Sequence, residues 1–133
     1  MLRIGKEIKP TKTVDGVKVW KLEENPEMTD AKVGENSNVA IHYFVGTKSN
    51  PRYDNSYQRN TPFAFGMKDH SLIPGLRKAM LGTKMYDKLY ILVPAKEAYG
   101  ARGYVNLVKP NEELFYDVII MDVDGKSVQQ NEQ

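Results

Sequence analysis

Few side chains in this sequence could carry acid–base or metal chemistry, and they are scattered. His42 lies in an apolar run and His70 in a polar stretch, so we expect both to be surface residues rather than a metal pair. Asp54 is the carboxylate that stands out, because it follows an aromatic residue and precedes Arg59 by five positions. That spacing fits an Asp–Arg pair that holds a loop, a functional carboxylate, or both. No phosphate-binding glycine loop, nucleophile elbow or catalytic carboxylate pair is present.

Length and composition favour one globular domain. The 133 residues are 41% apolar and 27% charged, which is typical of a packed chain, and a net charge of +2 is too small to predict nucleic-acid binding. There is no cysteine for a disulfide, a thiol nucleophile or a zinc site, and no run long enough to span a membrane. The first residues lack the apolar region of a secretory signal. We therefore expect a cytoplasmic monomer with no membrane partner, metal or cofactor.

Alternating apolar residues predict several strands and one helix. The strongest strand is 39–45, and four residues share one of its faces: Val39, Ile41, Tyr43 and Val45. Further strands are expected near 17–22, 53–54, 63–65, 88–93 and 114–121, the last apolar on both faces and therefore central. One helix cannot cover parallel crossovers, so the five or six strands should form a mainly antiparallel sheet curled around it. The predicted fold class is α+β.

The stretch from Pro62 to Leu76 links a strand to the predicted helix. Phe63 and Phe65 repeat with a period of two and so point to one face. Pro74 suits a first helical position, where its fixed φ helps and its missing N–H costs little. The helix should bury one face, formed by Ile73, Leu76, Ala79 and Met80, and turn Arg77 and Lys78 outward. It should not run far past Gly82.

The domain is predicted to cover residues 1–133, with a core of about 37–123 and flexible arms at 1–13 and 125–133. A long irregular segment, 95–111, interrupts the strands of this core. Connections of that length inside a compact domain are usually functional or disordered, and its aromatic residues argue against disorder.

Six short segments of the chain follow one another in the order that is typical of a known family. They are 39–43, Tyr53-Asp54-Asn55-Ser56, 59–63, 72–76, Ala98-Tyr99-Gly100 and 114–118. Together they resemble the FKBP-type peptidyl-prolyl isomerases, or immunophilins, in which the second segment is usually Phe-Asp-Ser-Ser. The resemblance covers about two thirds of the chain, from Val39 to Asp122. It implies an antiparallel half-barrel wrapped across a short helix, with an apolar pocket between them.

The resemblance also implies which residues form that pocket. Its walls would be Tyr43, Tyr53, Phe63, Leu72, Ile73, Tyr99, Val108 and Tyr116, with Leu76 as the floor, Asp54 at the rim and Tyr104 in the loop above. By the same resemblance, Asp54, Tyr99 and Ile73 are the catalytic positions. The Tyr99 hydroxyl and the Ile73 backbone N–H would donate hydrogen bonds to carbonyls of a bound peptide or macrolide.

Several of these positions depart from the residues that are usual in the family. Leu76 stands where the family often has tryptophan, which should widen the floor and weaken contact with a proline ring. Tyr116 and Tyr53 replace phenylalanine, and Tyr116 brings into an apolar pocket a hydroxyl that must find a partner. Tyr104 replaces a frequent histidine, in a loop without the usual doubled proline. We expect reduced activity and altered ligand preference.

The resemblance implies a peptidyl-prolyl cis–trans isomerase that assists folding or switches X–Pro bonds in peptides and client proteins. Tacrolimus- and rapamycin-type macrolides are the expected small ligands. A second interpretation is a weakly active or inactive binding module of a larger co-chaperone or scaffold protein, which Leu76 and the altered loop favour. The retained Asp54, Ile73 and Tyr99 favour the enzyme. A half-barrel with an unrelated role is the third.

Overall fold

The computed structural model describes residues 8–23 and 31–126 of the chain. Seven strands lie in these ranges: β1 (Lys12–Val14), β2 (Val17–Glu23), β3 (Asn38–Gly46), β4 (Asp54–Asn55), β5 (Phe63–Gly66), β6 (Lys88–Val93) and β7 (Leu114–Val123). One α-helix, α1 (Pro74–Met80), and two 3₁₀ turns, Tyr57–Arg59 and Ala95–Glu97, complete the elements. No helix in these ranges has the length and apolar character needed to cross a membrane.

The strands form one antiparallel sheet that is not closed, as the sequence predicted. Their order is β1-β2-β6-β7-β3-β4, and β5 also pairs with β3. The described part holds seven strands rather than five or six, because a tight hairpin adds β1, which was not predicted from the sequence. In that hairpin Asp15 and Gly16 have φ values of 51° and 84°, the conformation of a two-residue turn.

Strand β7 has the central place that was predicted, between β6 and β3. Its residues alternate between buried and half-buried, because one face of the sheet packs into the core and the other is partly open. The predicted face of β3 is buried as a set, with Ile41 fully enclosed. The sheet reaches beyond the predicted core of 37–123, since β2 lies between β1 and β6.

Helix α1 packs against the sheet, begins at the predicted proline and ends within the limit that Gly82 sets. Pro74 is its first residue and Leu81 follows its last. Gly75 belongs to the buried face, and a Cβ at that position would collide with a side-chain methyl of Val93 and the backbone of Glu97. The glycine therefore allows the helix to approach β6 closely, which brings Leu76 into the core.

The two basic residues of α1 that were predicted to point outward are half-buried instead. The Arg77 Nε donates to the Met67 carbonyl over 2.7 Å, and an Arg77 Nη donates to the Asp69 carbonyl over 3.0 Å. Lys78 Nζ donates to a Glu97 carboxylate oxygen over 2.8 Å. These contacts tie the helix to the loop that precedes it and to the turn after β6.

Candidate functional site

A cavity of about 340 Å³ opens between α1, the inner face of β3 and the segment after β6. Its lining includes all the predicted pocket residues except Val108: Tyr43, Tyr53, Asp54, Phe63, Leu72, Ile73, Leu76, Tyr99, Tyr104 and Tyr116. The structure thus brings together residues that lie up to 73 positions apart in the chain. Their assignment as catalytic or binding residues stays a prediction.

Val108 does not line this cavity. A backbone bridge between Tyr104 and Val108 turns the loop back on itself, with a Tyr104 N–H to Val108 carbonyl distance of 2.8 Å between nitrogen and oxygen. Val108 is buried in the core as a result, and Leu107 reaches the cavity in its place. Nothing in the sequence distinguishes these two adjacent apolar residues.

Three further lining residues were not predicted: Ile41, Val45 and Ser71. The first two share the alternating face of β3 with Tyr43, so the period-two pattern already placed them on the pocket side. Ser71 carries no comparable signal, because it lies in the irregular loop before α1.

Six of the fourteen residues that line the cavity are aromatic. The Tyr43 ring meets Phe63 edge to face, with centroids 5.9 Å apart, and lies 6.1 Å from the Tyr116 ring. Phe63 is 39% exposed and lies at the mouth, whereas Tyr116 and Leu76 are 7% and 3% exposed and lie deep. Such walls offer contact to a flat or cyclic apolar group.

The floor of the cavity has no indole. Leu76 occupies it, and Trp20 belongs to β2, outside the cavity lining. Trp20 packs against Tyr90 with ring centroids 5.8 Å apart, and its indole nitrogen donates to the Ile8 carbonyl over 3.1 Å. The tryptophan therefore belongs to the scaffold.

Asp54 forms a closed hydrogen-bonded network at the rim. It accepts from the Tyr43 hydroxyl over 2.6 Å and from Arg59 Nη1 over 2.9 Å, and Arg59 Nη2 donates to the Tyr43 hydroxyl over 2.8 Å. The Asp54–Arg59 pair that the sequence predicted is confirmed. The participation of Tyr43 was not foreseen, because no spacing rule connects β3 to the short turn that holds Arg59.

Electrostatics keep this network in one protonation state near neutral pH. Burial raises the pKa of Asp54, but the hydrogen bonds from Tyr43 and Arg59 outweigh it, so the net pKa is lowered. Burial, together with the neighbouring carboxylate, raises the pKa of Tyr43 to about 12. Tyr43 therefore remains a neutral hydrogen-bond donor to an ionised Asp54.

Two tyrosines of the segment after β6 close the other side of the cavity. Tyr99 and Tyr104 stack with centroids 4.8 Å apart and an interplanar angle of 13°. Burial raises the pKa of Tyr99, so its hydroxyl keeps its proton. Across the cavity, the Ile73 backbone N–H has no acceptor within the described residues, and Ile73 lines the cavity. Both groups can thus donate to a ligand, which is the role predicted for them.

The two histidines lie away from this cavity. His42 is half-buried on the other face of β3, where its ring stacks on Tyr57 at 4.4 Å and its Nδ1 lies 2.7 Å from the Ser56 hydroxyl. His70 is exposed. Within residues 8–23 and 31–126, no three His, Cys, Asp or Glu side chains come together as a metal site.

The comparisons with known proteins agree with this geometry. A sequence model described as FKBP-type peptidyl-prolyl cis-trans isomerase matches residues 29–121. The chain belongs to the FKBP family. Among similar FKBP proteins, "Peptidyl-prolyl cis-trans isomerase FKBP9" of Homo sapiens is 31% identical over 85 residues, which is 64% of this chain and 15% of that protein. "FK506-binding protein 1" of Candida glabrata is 29% identical over 109 residues, covering 82% of this chain and 94% of that protein.

Solved structures show the same FKBP fold. FkpA from Escherichia coli superposes with a TM-score of 0.76 and 27% identity, over 89% of this chain and 53% of that one. A peptidyl-prolyl cis-trans isomerase from Pseudomonas syringae superposes with a TM-score of 0.73 and 24% identity, over 84% of this chain and 78% of that one. The FKBP-type chain therefore spans a small part of some relatives and nearly all of others.

Proposed function

We propose that this chain is a peptidyl-prolyl cis–trans isomerase that acts on X–Pro bonds of peptides and of client proteins during folding. The observation that supports this most directly is the aromatic cavity with the Tyr43–Asp54–Arg59 network at its rim. Membership of the FKBP family agrees with it.

Rotation about an X–Pro bond requires no nucleophile and no proton transfer. The barrier of about 18–20 kcal/mol comes from amide resonance, which places negative charge on the carbonyl oxygen of the planar forms. An apolar cavity disfavours that charge separation and so favours the twisted imide over both planar isomers. Walls of the kind formed by Tyr43, Phe63 and Tyr116 supply such surroundings.

Hydrogen-bond donors near the cavity can hold the peptide that flanks the proline. The Tyr99 hydroxyl and the Ile73 N–H would donate to carbonyls of this peptide. The Asp54–Arg59 pair fixes the hydroxyl of Tyr43, which holds that ring as a rigid wall. Positioning of the imide by fixed walls contributes to the rate, because little reorganisation is needed at the transition state.

The proposal includes tacrolimus-type macrolides as ligands of the same cavity. A similar protein that matches most of this chain is named FK506-binding protein 1. Leu76 offers less ring contact than the indole that is frequent in the family, so we expect weaker macrolide binding than in relatives with tryptophan at the floor. We expect reduced isomerase activity for the same reason, because Leu76 also offers less contact to a proline ring.

A refolding assay tests the enzymatic proposal. The substrate is a protein whose slow refolding phase is limited by an X–Pro bond, which takes tens of seconds without a catalyst. Catalytic amounts of this chain should accelerate that phase. Tyr99→Phe should reduce the acceleration, whereas Tyr90→Phe, on β6 outside the cavity lining, should not. A slow phase that is unchanged, with the chain shown to bind the substrate, would instead favour the binding-module interpretation.

A further inference from the structure

The Tyr116 hydroxyl is an unpaired polar group in the deep part of the cavity. Tyr116 is only 7% exposed, and no residue within the described ranges forms a hydrogen bond with its hydroxyl. Asp87 Oδ1 is the one fully enclosed side-chain polar atom of these ranges that lacks a partner. The Tyr116 hydroxyl is therefore not sealed in the core, and the space onto which it opens is the cavity that Tyr116 lines.

The neighbouring polar groups do not satisfy this hydroxyl. Tyr43 is already engaged by Asp54 and Arg59. Burial raises the pKa of Tyr116 well above its ordinary value, so the hydroxyl keeps its proton and can both donate and accept. A buried hydroxyl without a partner is costly, and a ligand atom that pairs with it recovers that cost.

Depth decides which part of a ligand reaches Tyr116. Phe63 and Tyr104, at 39% and 44% exposure, mark the mouth of the cavity, whereas its lining residues Tyr116 and Leu76 are 7% and 3% exposed. The peptide backbone must pass the mouth on both sides of the proline, so the group that reaches the deep end is the proline ring. The short Leu76 side chain leaves room there for a ring substituent.

We propose that Tyr116 makes this cavity selective for prolyl rings that carry a hydroxyl group, as in 4-hydroxyproline, over the unsubstituted ring. The ring hydroxyl would pair with the Tyr116 hydroxyl at the deep end. This inference rests on the proposed isomerase function and defines a substrate class for it. Tyr116 acts here as a specificity-determining residue, and it forms no bond with the imide itself.

The test compares three peptides that differ only at the ring: X–Pro, X–(4R)-hydroxyproline and X–(4S)-hydroxyproline. Exchange NMR gives the catalysed rate for each, divided by its own uncatalysed rate because the substituent changes the intrinsic barrier. For at least one hydroxyprolyl epimer, the acceleration by the wild-type chain should exceed that of the prolyl peptide. Tyr116→Phe should lower that hydroxyprolyl-to-prolyl ratio roughly five- to tenfold, the loss of one hydrogen bond.

Tyr90→Phe is the matched control, because it removes a phenol from a similarly buried tyrosine of β6 outside the cavity lining. Its ratio should equal that of the wild type. The inference would be overturned if Tyr116→Phe left the ratio unchanged for both epimers, or if the wild type accelerated neither epimer more than the prolyl peptide. If no peptide is accelerated, the isomerase proposal fails but the selectivity can still be tested. NMR titration then gives the affinity of each peptide, and the hydroxyprolyl-to-prolyl affinity ratio of wild type and Tyr116→Phe replaces the ratio of rates.

Discussion

The Tyr43 hydroxyl lies 2.6 Å from Asp54 Oδ2, and Arg59 donates to both residues. This short contact joins the inner face of β3 to the rim of the cavity. The ring of Tyr43 faces Phe63 and Tyr116 at the same time, so the network at the rim orients one wall of the cavity. Two predictions follow from this relationship, one on rate and one on pH.

Tyr43→Phe should keep the aromatic ring in the cavity wall but remove the hydroxyl that bonds to Asp54 and Arg59. We expect kcat/KM for an X–Pro peptide to fall about three- to tenfold, because the two charge-assisted hydrogen bonds of the Tyr43 hydroxyl, with Asp54 and Arg59, are lost while the ring contact is kept. Asp54→Ala should cost at least as much, since it leaves Tyr43 and Arg59 without their shared acceptor. Exchange NMR at several peptide concentrations measures both. Equal rates for wild type and Tyr43→Phe would mean that the network only supports the fold.

Asp54 should make the stability of the chain dependent on acid pH. Its pKa in the folded state is below the ordinary value of 3.8, so the stabilisation is fully present above the unfolded pKa and is lost as the pH falls through the folded one. Asp54→Asn should therefore lower the free energy of unfolding by about 1 kcal/mol at pH 7, a small value because the pair is partly exposed. That difference should shrink below about pH 4. Urea unfolding at pH 7, 5 and 3 tests this, and a constant difference would contradict it.

Leu76→Trp should strengthen ligand binding at the floor. Leu76 lies under a cavity of about 340 Å³, so an indole has space to enter with limited overpacking. Added aromatic contact with a proline or macrolide ring should raise affinity about tenfold. Isothermal titration calorimetry with a tacrolimus-type macrolide provides the affinity of each variant. Leu76→Met is the control that keeps the floor aliphatic, and equal affinities for the two variants would show that the floor does not limit binding.

Lys12 caps the carboxyl end of the helix that carries Leu76. Its Nζ donates to the carbonyls of Lys78, Ala79 and Leu81 at 3.1, 3.0 and 2.9 Å. Lys12→Met should lower the free energy of unfolding by about 1–2 kcal/mol, because three carbonyls lose a cationic donor where the helix dipole is negative. Lys18→Met, at an exposed position of β2, should change it by less than about 0.5 kcal/mol. Chemical denaturation compares the two, and equal effects would remove the capping role.

The sequence was informative where local chemistry decides structure. Alternation along β3 predicted that Tyr43 shares the inward face of the strand. Pro74 predicted the start of α1, and Gly82 limited where the helix could end. The family resemblance then named ten of the residues that line the cavity. Each of these signals depends on neighbouring residues or on a pattern that other sequences share.

Long-range contacts account for what the sequence did not predict. Lys12 reaches carbonyls 66–69 residues away, and nothing near it in the chain indicates a capping role. The Tyr104–Val108 bridge is local, but its geometry follows no residue pattern in this loop, and it places Leu107 rather than Val108 at the cavity. The hydrogen bond from Arg59 to Tyr43 spans 16 residues across two elements. Tertiary geometry alone fixes such choices.

The most direct test of the central claim is exchange NMR of a short X–Pro peptide with catalytic amounts of the chain, with and without a tacrolimus-type macrolide. We predict a clear acceleration of cis–trans exchange, which disappears as the macrolide saturates the cavity and shifts the signals of Tyr43, Phe63 and Ile73. Acceleration that persists while those signals report a fully occupied cavity would place the activity elsewhere. Absence of any acceleration by the wild-type chain would contradict the enzymatic function itself.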